Sequence, residues 1–175
     1  MPLNDIGLFA FDVDGVLTNG VIAFTPDHEE LKAFHVHDGI ALKWLESSGI
    51  RVALVTARRS RVVDQRAREL NLSRLLAGQD DKLLALTQLA REFTIDLARI
   101  AYMGDDLPDL PALMRAGYSF TVPDAPAEVR SRVHYVTEHH GGGGAVREAA
   151  ELVLKARGLW DGVVARYLSA ERSPA

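Results

Sequence analysis

The feature that most constrains this chain is an apolar run near the N-terminus that ends in two aspartates. Leu8-Phe9-Ala10-Phe11 is followed at once by Asp12-Val13-Asp14-Gly15. A short apolar run bounded by a turn signal predicts a buried strand. Because side chains alternate along a strand, we expect Asp12 and Asp14 to leave its end on the same side. Two close carboxylates repel each other unless a cation lies between them, so the pair indicates a cation site or, more simply, a strand end with solvated acids.

Strand-like and helix-like stretches alternate along the rest of the chain. A polar turn at 25–30 predicts a β-hairpin over about residues 19–36, and Asp38 is expected to cap a helix over 39–48. Further strands are predicted at 50–55, 72–77, 100–103, 118–122 and 135–136, and further helices from Ser60 onward and at 83–93, 109–116 and 145–157. This alternation predicts an α/β fold, with a mostly parallel sheet between two helical layers.

Domain organisation follows from the same reading. No internal repeat and no linker is visible, so residues 1–175 are expected to form a single domain. Its last part, a tail of about residues 159–175, carries apolar residues at helical spacing.

Composition excludes several classes of protein. The formal net charge is -4 and no basic run occurs, which argues against a nucleic-acid partner. The absence of cysteine excludes disulfides, thiolate nucleophiles and cysteine-based zinc sites. No apolar run is long enough to cross a bilayer, and the N-terminus lacks the layout of a signal peptide, so no membrane partner and a cytoplasmic location are expected.

Four separated motifs are expected to meet at one edge of the sheet. Ligands of such folds bind beyond the carboxyl ends of the strands. That rule gathers Asp12 and Asp14 with Thr56 and Asp105, and it places Lys82 near them at a helix start. Each motif alone has an ordinary interpretation: Thr56 as a strand-end residue, Lys82 as a solvated lysine, and Asp105, Asp106 and Asp109 as helix caps. Their joint occurrence in one α/β chain favours chemistry.

The chemistry that suits this combination is hydrolysis of a phosphate ester. A carboxylate can attack phosphorus and form an aspartyl-phosphate, but an anion that attacks an anion needs cations nearby. Mg²⁺ prefers oxygen ligands, which Asp12 and Asp105 supply, and Asp106 or Asp109 can hold its water. Lys82 and Thr56 can stabilise the phosphoryl oxygens. Asp14 remains for proton transfer.

These motifs resemble those of the haloacid dehalogenase superfamily. The matching residues are Asp12 to Thr18, Thr56, Lys82 and Gly104-Asp105-Asp106 with Asp109. Within that superfamily the chain is similar to the 3-deoxy-D-manno-octulosonate 8-phosphate (KDO 8-phosphate) phosphatases. The segments that carry this closer similarity are Glu30 to Phe34, Asp38 to Ile40, Gly78 to Lys82 and Gly142 to Glu148.

The resemblance implies a role for each site residue. Asp12 would be the nucleophile, Asp14 the general acid and base, and Thr56 and Lys82 the phosphoryl-binding residues. Mg²⁺ would lie on Asp12, the backbone carbonyl of Asp14 and Asp105. Arg58 is suited to the carboxylate of a sugar acid because its guanidinium can form paired hydrogen bonds, although a surface arginine is an equally ordinary interpretation. Ala57 stands where the family usually has glycine.

The resemblance also implies an architecture and a pathway. The family has a three-layer α/β/α fold without a large cap domain and is typically a homotetramer, with the hairpin packed between subunits. Its reaction belongs to lipopolysaccharide precursor synthesis and has a small phosphorylated sugar acid as substrate.

Two alternatives stay open at this point. The first is a phosphatase of another acidic sugar phosphate, such as a nonulosonate 9-phosphate. The second, from a different class, is a signalling module of the phospho-receiver type, which also combines acids, a threonine and a lysine around Mg²⁺. Asp14 argues against the receiver, because turnover needs a proton shuttle beside the nucleophile.

Overall fold

A computed structural model describes residues 3–170, and these form one parallel sheet with helices packed on it. The six strands are β1 Leu8–Phe11, β4 Arg51–Thr56, β5 Arg74–Ala77, β6 Ile100–Met103, β7 Tyr118–Thr121 and β8 Tyr135–Val136. Their order in the sheet is β5-β4-β1-β6-β7-β8, and every neighbouring pair is parallel. Parallel strands need long crossover connections, which the helices supply.

The helices form two groups. Their bounds are α1 Val36–Ser47, α2 Arg61–Leu70, α3 Lys82–Glu92, α4 Leu110–Leu113, α5 Ala127–Arg130, α6 Ala145–Ala156 and α7 Trp160–Ala170. Helix α1 contacts α2 and α6, and α6 contacts α7, while α3 packs with α4. The predicted three-layer α/β/α fold of the haloacid dehalogenase type, without a large cap domain, is confirmed.

Strand β1 lies at the centre of the core and positions the site. All four of its residues are fully buried, and Phe9 stacks on Phe11 with ring centroids 4.0 Å apart. Its neighbours β4 and β6 are in register with it, so that Phe11 lies beside Leu54 and Met103. The residues that follow these three strands therefore come together at one edge of the sheet.

The hairpin is present but shorter than predicted. Strands β2 Ala23–Phe24 and β3 Glu30–Leu31 pair only with each other and form a separate two-stranded sheet. The expected range of about 19–36 extends too far, because helix α1 already begins at Val36. Residues 20–22 are exposed and belong to no strand, since nothing in the described part of the chain pairs with them.

Asp38 does not cap its own helix, so that prediction is wrong. It lies in the first turn of α1, whose N-cap is His35, and its side chain is buried. Its Oδ1 instead accepts a hydrogen bond from the backbone N–H of Arg147 at 2.8 Å, in the first turn of α6. A carboxylate at this position stabilises the free amides of the neighbouring helix.

Helix α7 packs the predicted tail onto the domain. The indole Nε1 of Trp44 donates to the hydroxyl of Tyr167 at 2.7 Å, and Trp44 meets Trp160 edge-on at 5.6 Å between ring centroids. The guanidinium of Arg147 lies 4.0 Å from the centroid of the Trp44 ring, a cation–π contact. Residues 1–2 and 171–175 lie outside the described residues, so the single domain over 1–175 and a tail that reaches 175 stay predictions. Between residues 3 and 170, none of the helices combines the length and the apolar character that a membrane span requires.

Candidate active site

Asp12 and Lys82 form a buried ion pair at the centre of the site. Asp12 follows β1, and its backbone N–H donates to the carbonyl of Met103 at 2.8 Å, which holds it beside β6. Its Oδ1 lies 2.5 Å from Nζ of Lys82, which also donates to the carbonyl of Val55 at 2.9 Å. Lys82 is the first residue of α3 and only 5% exposed. The simple interpretation of Lys82 as a solvated lysine is therefore wrong.

Three carboxylates converge beside this pair. One oxygen each of Asp12, Asp105 and Asp109 lie within 4.8 Å of one another. Burial raises the pKa of Asp12 to about 6 against the opposing charge of Lys82. Burial, followed by the charges of Asp12, Asp109 and Asp106, raises the pKa of Asp105 to about 8. Three carboxylates thus lie beside the single positive charge of Lys82, and a hard divalent cation such as Mg²⁺ fits this oxygen donor set.

Asp109 and Asp106 shape the loop that carries Asp105. Oδ2 of Asp109 accepts from the backbone N–H groups of Asp105 at 3.0 Å and Asp106 at 3.2 Å, and a reciprocal capping box joins Asp106 and Asp109. The simple interpretation of these two acids as helix caps is thus correct, and it is compatible with a supporting role at the metal. The capped element is a 3₁₀ turn, Leu107–Asp109, that leads into α4.

Tyr102 is a supporting residue that sequence reasoning missed. Its hydroxyl donates to Oδ1 of Asp109 at 2.6 Å, from within the fully buried strand β6. Burial and then the charge of Asp109 hold the pKa of Tyr102 well above its ordinary value, so it remains a hydrogen-bond donor. The available signal was one hydroxyl in the apolar run Ile100-Ala101-Tyr102-Met103, because such a group needs a partner once it is buried.

Gly15 lets the two acidic loops approach each other. Its φ is +94°, a backbone conformation that residues other than glycine rarely adopt. A Cβ atom built on Gly15 would lie 2.0 Å from Oδ2 of Asp105. The glycine that follows Asp14 is therefore required by backbone conformation and by the packing of Asp105.

The structure brings all the predicted site residues together. They line one cavity of about 190 Å³ at the carboxyl edge of the sheet: Asp12, Asp14, Thr56, Arg58, Lys82, Asp105, Asp106 and Asp109. Thr56 is the buried last residue of β4, and its hydroxyl accepts from the backbone N–H of Arg58 at 3.2 Å. Ala57 and Arg58 follow it in an exposed loop.

The hairpin region brings two residues that had no predicted role, Lys32 and Glu30, into contact with residues that line this cavity. Lys32, whose side chain is 1% exposed, donates to Oδ1 of Asp14. Glu30 accepts from the hydroxyl of Ser60 and from Nη2 of Arg58, the latter at 3.2 Å. Burial opposes ionisation of Glu30, but its hydrogen bond from Ser60 and the charge of Lys32 lower its pKa, so it is an anion at neutral pH. Only the fold brings these residues to the site.

Comparisons with known proteins agree with this site. A profile of haloacid dehalogenase-like hydrolases matches residues 73–149. The 3-deoxy-D-manno-octulosonate 8-phosphate phosphatase of Yersinia pestis is 41% identical over 158 residues, which are 90% of this chain and 84% of the relative.

Solved structures give the same result. The enzyme of that name from Moraxella catarrhalis, crystallised with magnesium ion, phosphate ion and KDO, is 46% identical with a TM-score of 0.92, over 94% of this chain and 95% of that one. The cobalt-bound phosphatase from Haemophilus influenzae is 37% identical with a TM-score of 0.87, over 90% and 92% of the two chains.

The fold, the acidic cavity and the matching profile define this chain as a haloacid dehalogenase-like hydrolase. Within that class the similarity is much closer than a shared fold, because it extends over nine-tenths of the sequence. The chain belongs to the family of KDO 8-phosphate phosphatases. Both levels of the resemblance seen in the sequence are confirmed, as is the expectation of a phosphoric monoester hydrolase.

Proposed function

We propose that this chain is the Mg²⁺-dependent phosphatase that hydrolyses KDO 8-phosphate to KDO and phosphate. The observation that carries the proposal is the convergence of Asp12, Asp105 and Lys82 in one cavity. The relative from Moraxella catarrhalis, whose structure contains magnesium, phosphate and KDO, supports both the metal and the substrate class.

The reaction proceeds in two steps through an aspartyl-phosphate. In the first step a carboxylate oxygen of Asp12 forms a bond to phosphorus while the bond from phosphorus to the sugar oxygen breaks, and Asp14 gives its proton to that oxygen. In the second step water forms a bond to phosphorus, the bond to Asp12 breaks, and Asp14 takes the proton from the water. Asp14 lines the same cavity as Asp12, as both steps require.

The need to balance negative charge in the cavity suggests a role for each of the remaining residues. Lys82 holds Asp12 in place and carries a positive charge toward the phosphoryl oxygens, and the Thr56 hydroxyl donates to one of them. Asp12, the carbonyl of Asp14 and Asp105 would hold Mg²⁺, which neutralises charge on the phosphoryl group. Asp106 and Asp109 support that site through the loop they order.

Steady-state phosphate release decides between the candidate substrates. The wild-type chain is assayed on KDO 8-phosphate, on a nonulosonate 9-phosphate and on p-nitrophenyl phosphate, with Mg²⁺ and with a chelator. We expect the highest kcat/KM on KDO 8-phosphate, many turnovers per subunit and no activity without metal. Asp12→Asn should abolish turnover without loss of folding. A higher kcat/KM on the nonulosonate, or a single stoichiometric burst, would instead identify the alternative phosphatase or a phospho-receiver.

We further propose a homotetramer with the hairpin at the subunit interface. Four side chains in the hairpin and just before it support this proposal because they are large, apolar and about half exposed or more, and an exposed apolar cluster is typical of an interaction surface: Val21, Ile22, Phe24 and Leu31. Phe24→Asp should shift the mass measured by light scattering from four chains toward one, whereas Met114→Asp, at an exposed apolar residue after α4, should leave it unchanged. The proposed location is the cytoplasm, which suits a chain without cysteine.

A further inference from the structure

We propose that Glu30 is a positioning residue that holds the guanidinium of Arg58 for the carboxylate of the substrate. This inference rests on the proposed function, since it requires a substrate that carries a carboxylate besides its phosphate. It assigns to the hairpin a part in substrate selection within its own subunit.

Few contacts hold the side chain of Arg58 among the described residues. It lies in the exposed loop after Thr56, and its side chain is 44% exposed. Among the described residues its guanidinium meets two carboxylates: Glu30, at 3.2 Å from Nη2, and Asp14, at 3.9 Å from Nε. The contact with Glu30 has hydrogen-bond geometry, whereas that with Asp14 is an ion pair without a hydrogen bond.

Glu30 is itself firmly held by two neighbouring elements. One carboxylate oxygen accepts from the hydroxyl of Ser60, the buried N-cap residue of α2. The other accepts from Arg58 and lies 3.4 Å from Nζ of Lys32, whose side chain is almost wholly buried. The hairpin is thereby tied to the start of α2, and a long, half-exposed arginine side chain is fixed to a rigid anchor.

Most N–H donors of the Arg58 guanidinium have no hydrogen-bond partner among the described residues. A guanidinium has five N–H donors, and Glu30 engages one nitrogen, Nη2, on one side. The other donors remain for a planar anion such as a carboxylate, which arginine recognises through paired hydrogen bonds. Glu30 touches neither the nucleophile nor the cluster of acids that would hold the metal, so it acts on the substrate through Arg58. A side chain that is fixed before binding loses less entropy when the substrate arrives.

The experiment compares wild type with a set of variants on two esters. Wild type, Glu30→Ala, Glu30→Gln and Arg58→Ala are assayed on KDO 8-phosphate and on p-nitrophenyl phosphate, which has no carboxylate. We expect Glu30→Ala to raise KM for KDO 8-phosphate about tenfold with kcat within twofold, and to change kcat/KM for p-nitrophenyl phosphate by less than twofold. Glu30→Gln keeps a hydrogen-bond acceptor and should recover part of the loss. Glu29→Ala, at an exposed neighbour in the hairpin, is the matched control and should change neither KM.

The double variant Glu30→Ala/Arg58→Ala tests whether the effect passes through Arg58. If Glu30 acts by positioning, the double variant is no worse than Arg58→Ala alone. Equal losses on both esters, or losses that add in the double variant, would overturn the proposal.

A failure of the proposed function is recognised separately. If wild type shows no preference for carboxylated esters, that function is wrong. The contact is then judged by the ¹⁵N NMR signal of Arg58 Nε. Sharpening or displacement of this signal by Glu30→Ala but not by Glu29→Ala supports positioning, and an unchanged signal refutes it.

Discussion

Lys82 and Asp12 belong to segments seventy residues apart and meet at 2.5 Å in the interior of the protein. Asp12 directly follows a central strand and Lys82 begins a helix, so the ion pair joins two of the elements that define the cavity. Because both groups are nearly buried, removal of one leaves the other without its partner in a medium of low dielectric constant.

We expect Lys82→Ala to lose activity and to destabilise the metal-free protein. Loss of one partner of a buried ion pair typically costs about 3–5 kcal/mol. Here we expect about 2–3 kcal/mol, because Asp12 can take up a proton and become neutral. Thermal unfolding in a chelator measures the loss. Lys43→Ala, at an exposed position of α1, is the control. A Lys82→Ala protein as stable as wild type would contradict a structural role for the pair.

The raised pKa of Asp105 predicts how the stability of the metal-free protein varies with pH. Its pKa is raised from 3.8 to about 8, chiefly by burial and then by the neighbouring carboxylates. The folded state therefore binds a proton that the unfolded state releases above about pH 4, so stability falls as the pH rises from about 4 to 8 and is level above that. Asp12, with a pKa of about 6, acts in the same direction. Melting temperatures at pH 5, 7 and 9 in a chelator measure this dependence, and equal values would contradict it.

The variant Asp105→Asn tests two effects of the Asp105 carboxylate separately: its destabilisation of the metal-free protein and its contribution to Mg²⁺ binding. Without metal it should be more stable than wild type at pH 8 by about 1–3 kcal/mol, a value discounted from about 1.4 kcal/mol per pKa unit because water reaches this group. With metal it should need much more Mg²⁺ for any remaining activity. Asp106→Asn, at an exposed neighbour, is the control and should give a much smaller change in stability. A metal-free Asp105→Asn protein less stable than wild type would refute the account.

Much of this site could be predicted because its residues lie at the ends of strands that can be recognised in the sequence as short apolar runs. Asp12 directly follows an apolar strand, Thr56 ends one, and Asp105 follows one after a single glycine, and the rule for parallel sheets brings strand ends together. Glu30 and Lys32 could not be placed in the same way, because Glu30 lies in a strand of only two residues that pairs outside the main sheet, and Lys32 follows that strand. Asp38 was misassigned for a related reason: its partner, the N–H of Arg147, lies 109 residues further along the chain. Local patterns do not encode such contacts.

Gly15→Ala should disable the site through Asp105. A Cβ atom there would collide with the Asp105 carboxylate at 2.0 Å, and the positive φ adds strain. Gly49 has a φ of +80° but nothing within 4 Å of such a Cβ atom, so Gly49→Ala is a control that carries the strain alone. The positive φ alone should cost each variant about 1–2 kcal/mol of stability. Only Gly15→Ala should also raise the Mg²⁺ concentration for half-maximal activity, by tenfold or more. If the two variants needed the same Mg²⁺ concentration, the Asp105 carboxylate would have moved away from the added methyl group without loss of metal binding, and the prediction would be wrong.

Tyr102→Phe tests whether the loop that carries Asp105 depends on a buried hydroxyl. The variant removes the donor that lies 2.6 Å from Oδ1 of Asp109 and leaves a buried acceptor without its partner, which should cost about 1–3 kcal/mol. Because Asp109 also binds the backbone N–H of Asp105, a looser Asp109 should raise the Mg²⁺ requirement. Tyr135→Phe is the matched control, since it breaks a 2.9 Å hydroxyl contact with Glu148 at the sheet edge. It should leave the Mg²⁺ requirement unchanged. If both variants alter that requirement alike, the hydroxyl of Tyr102 acts through general stability rather than through the metal loop.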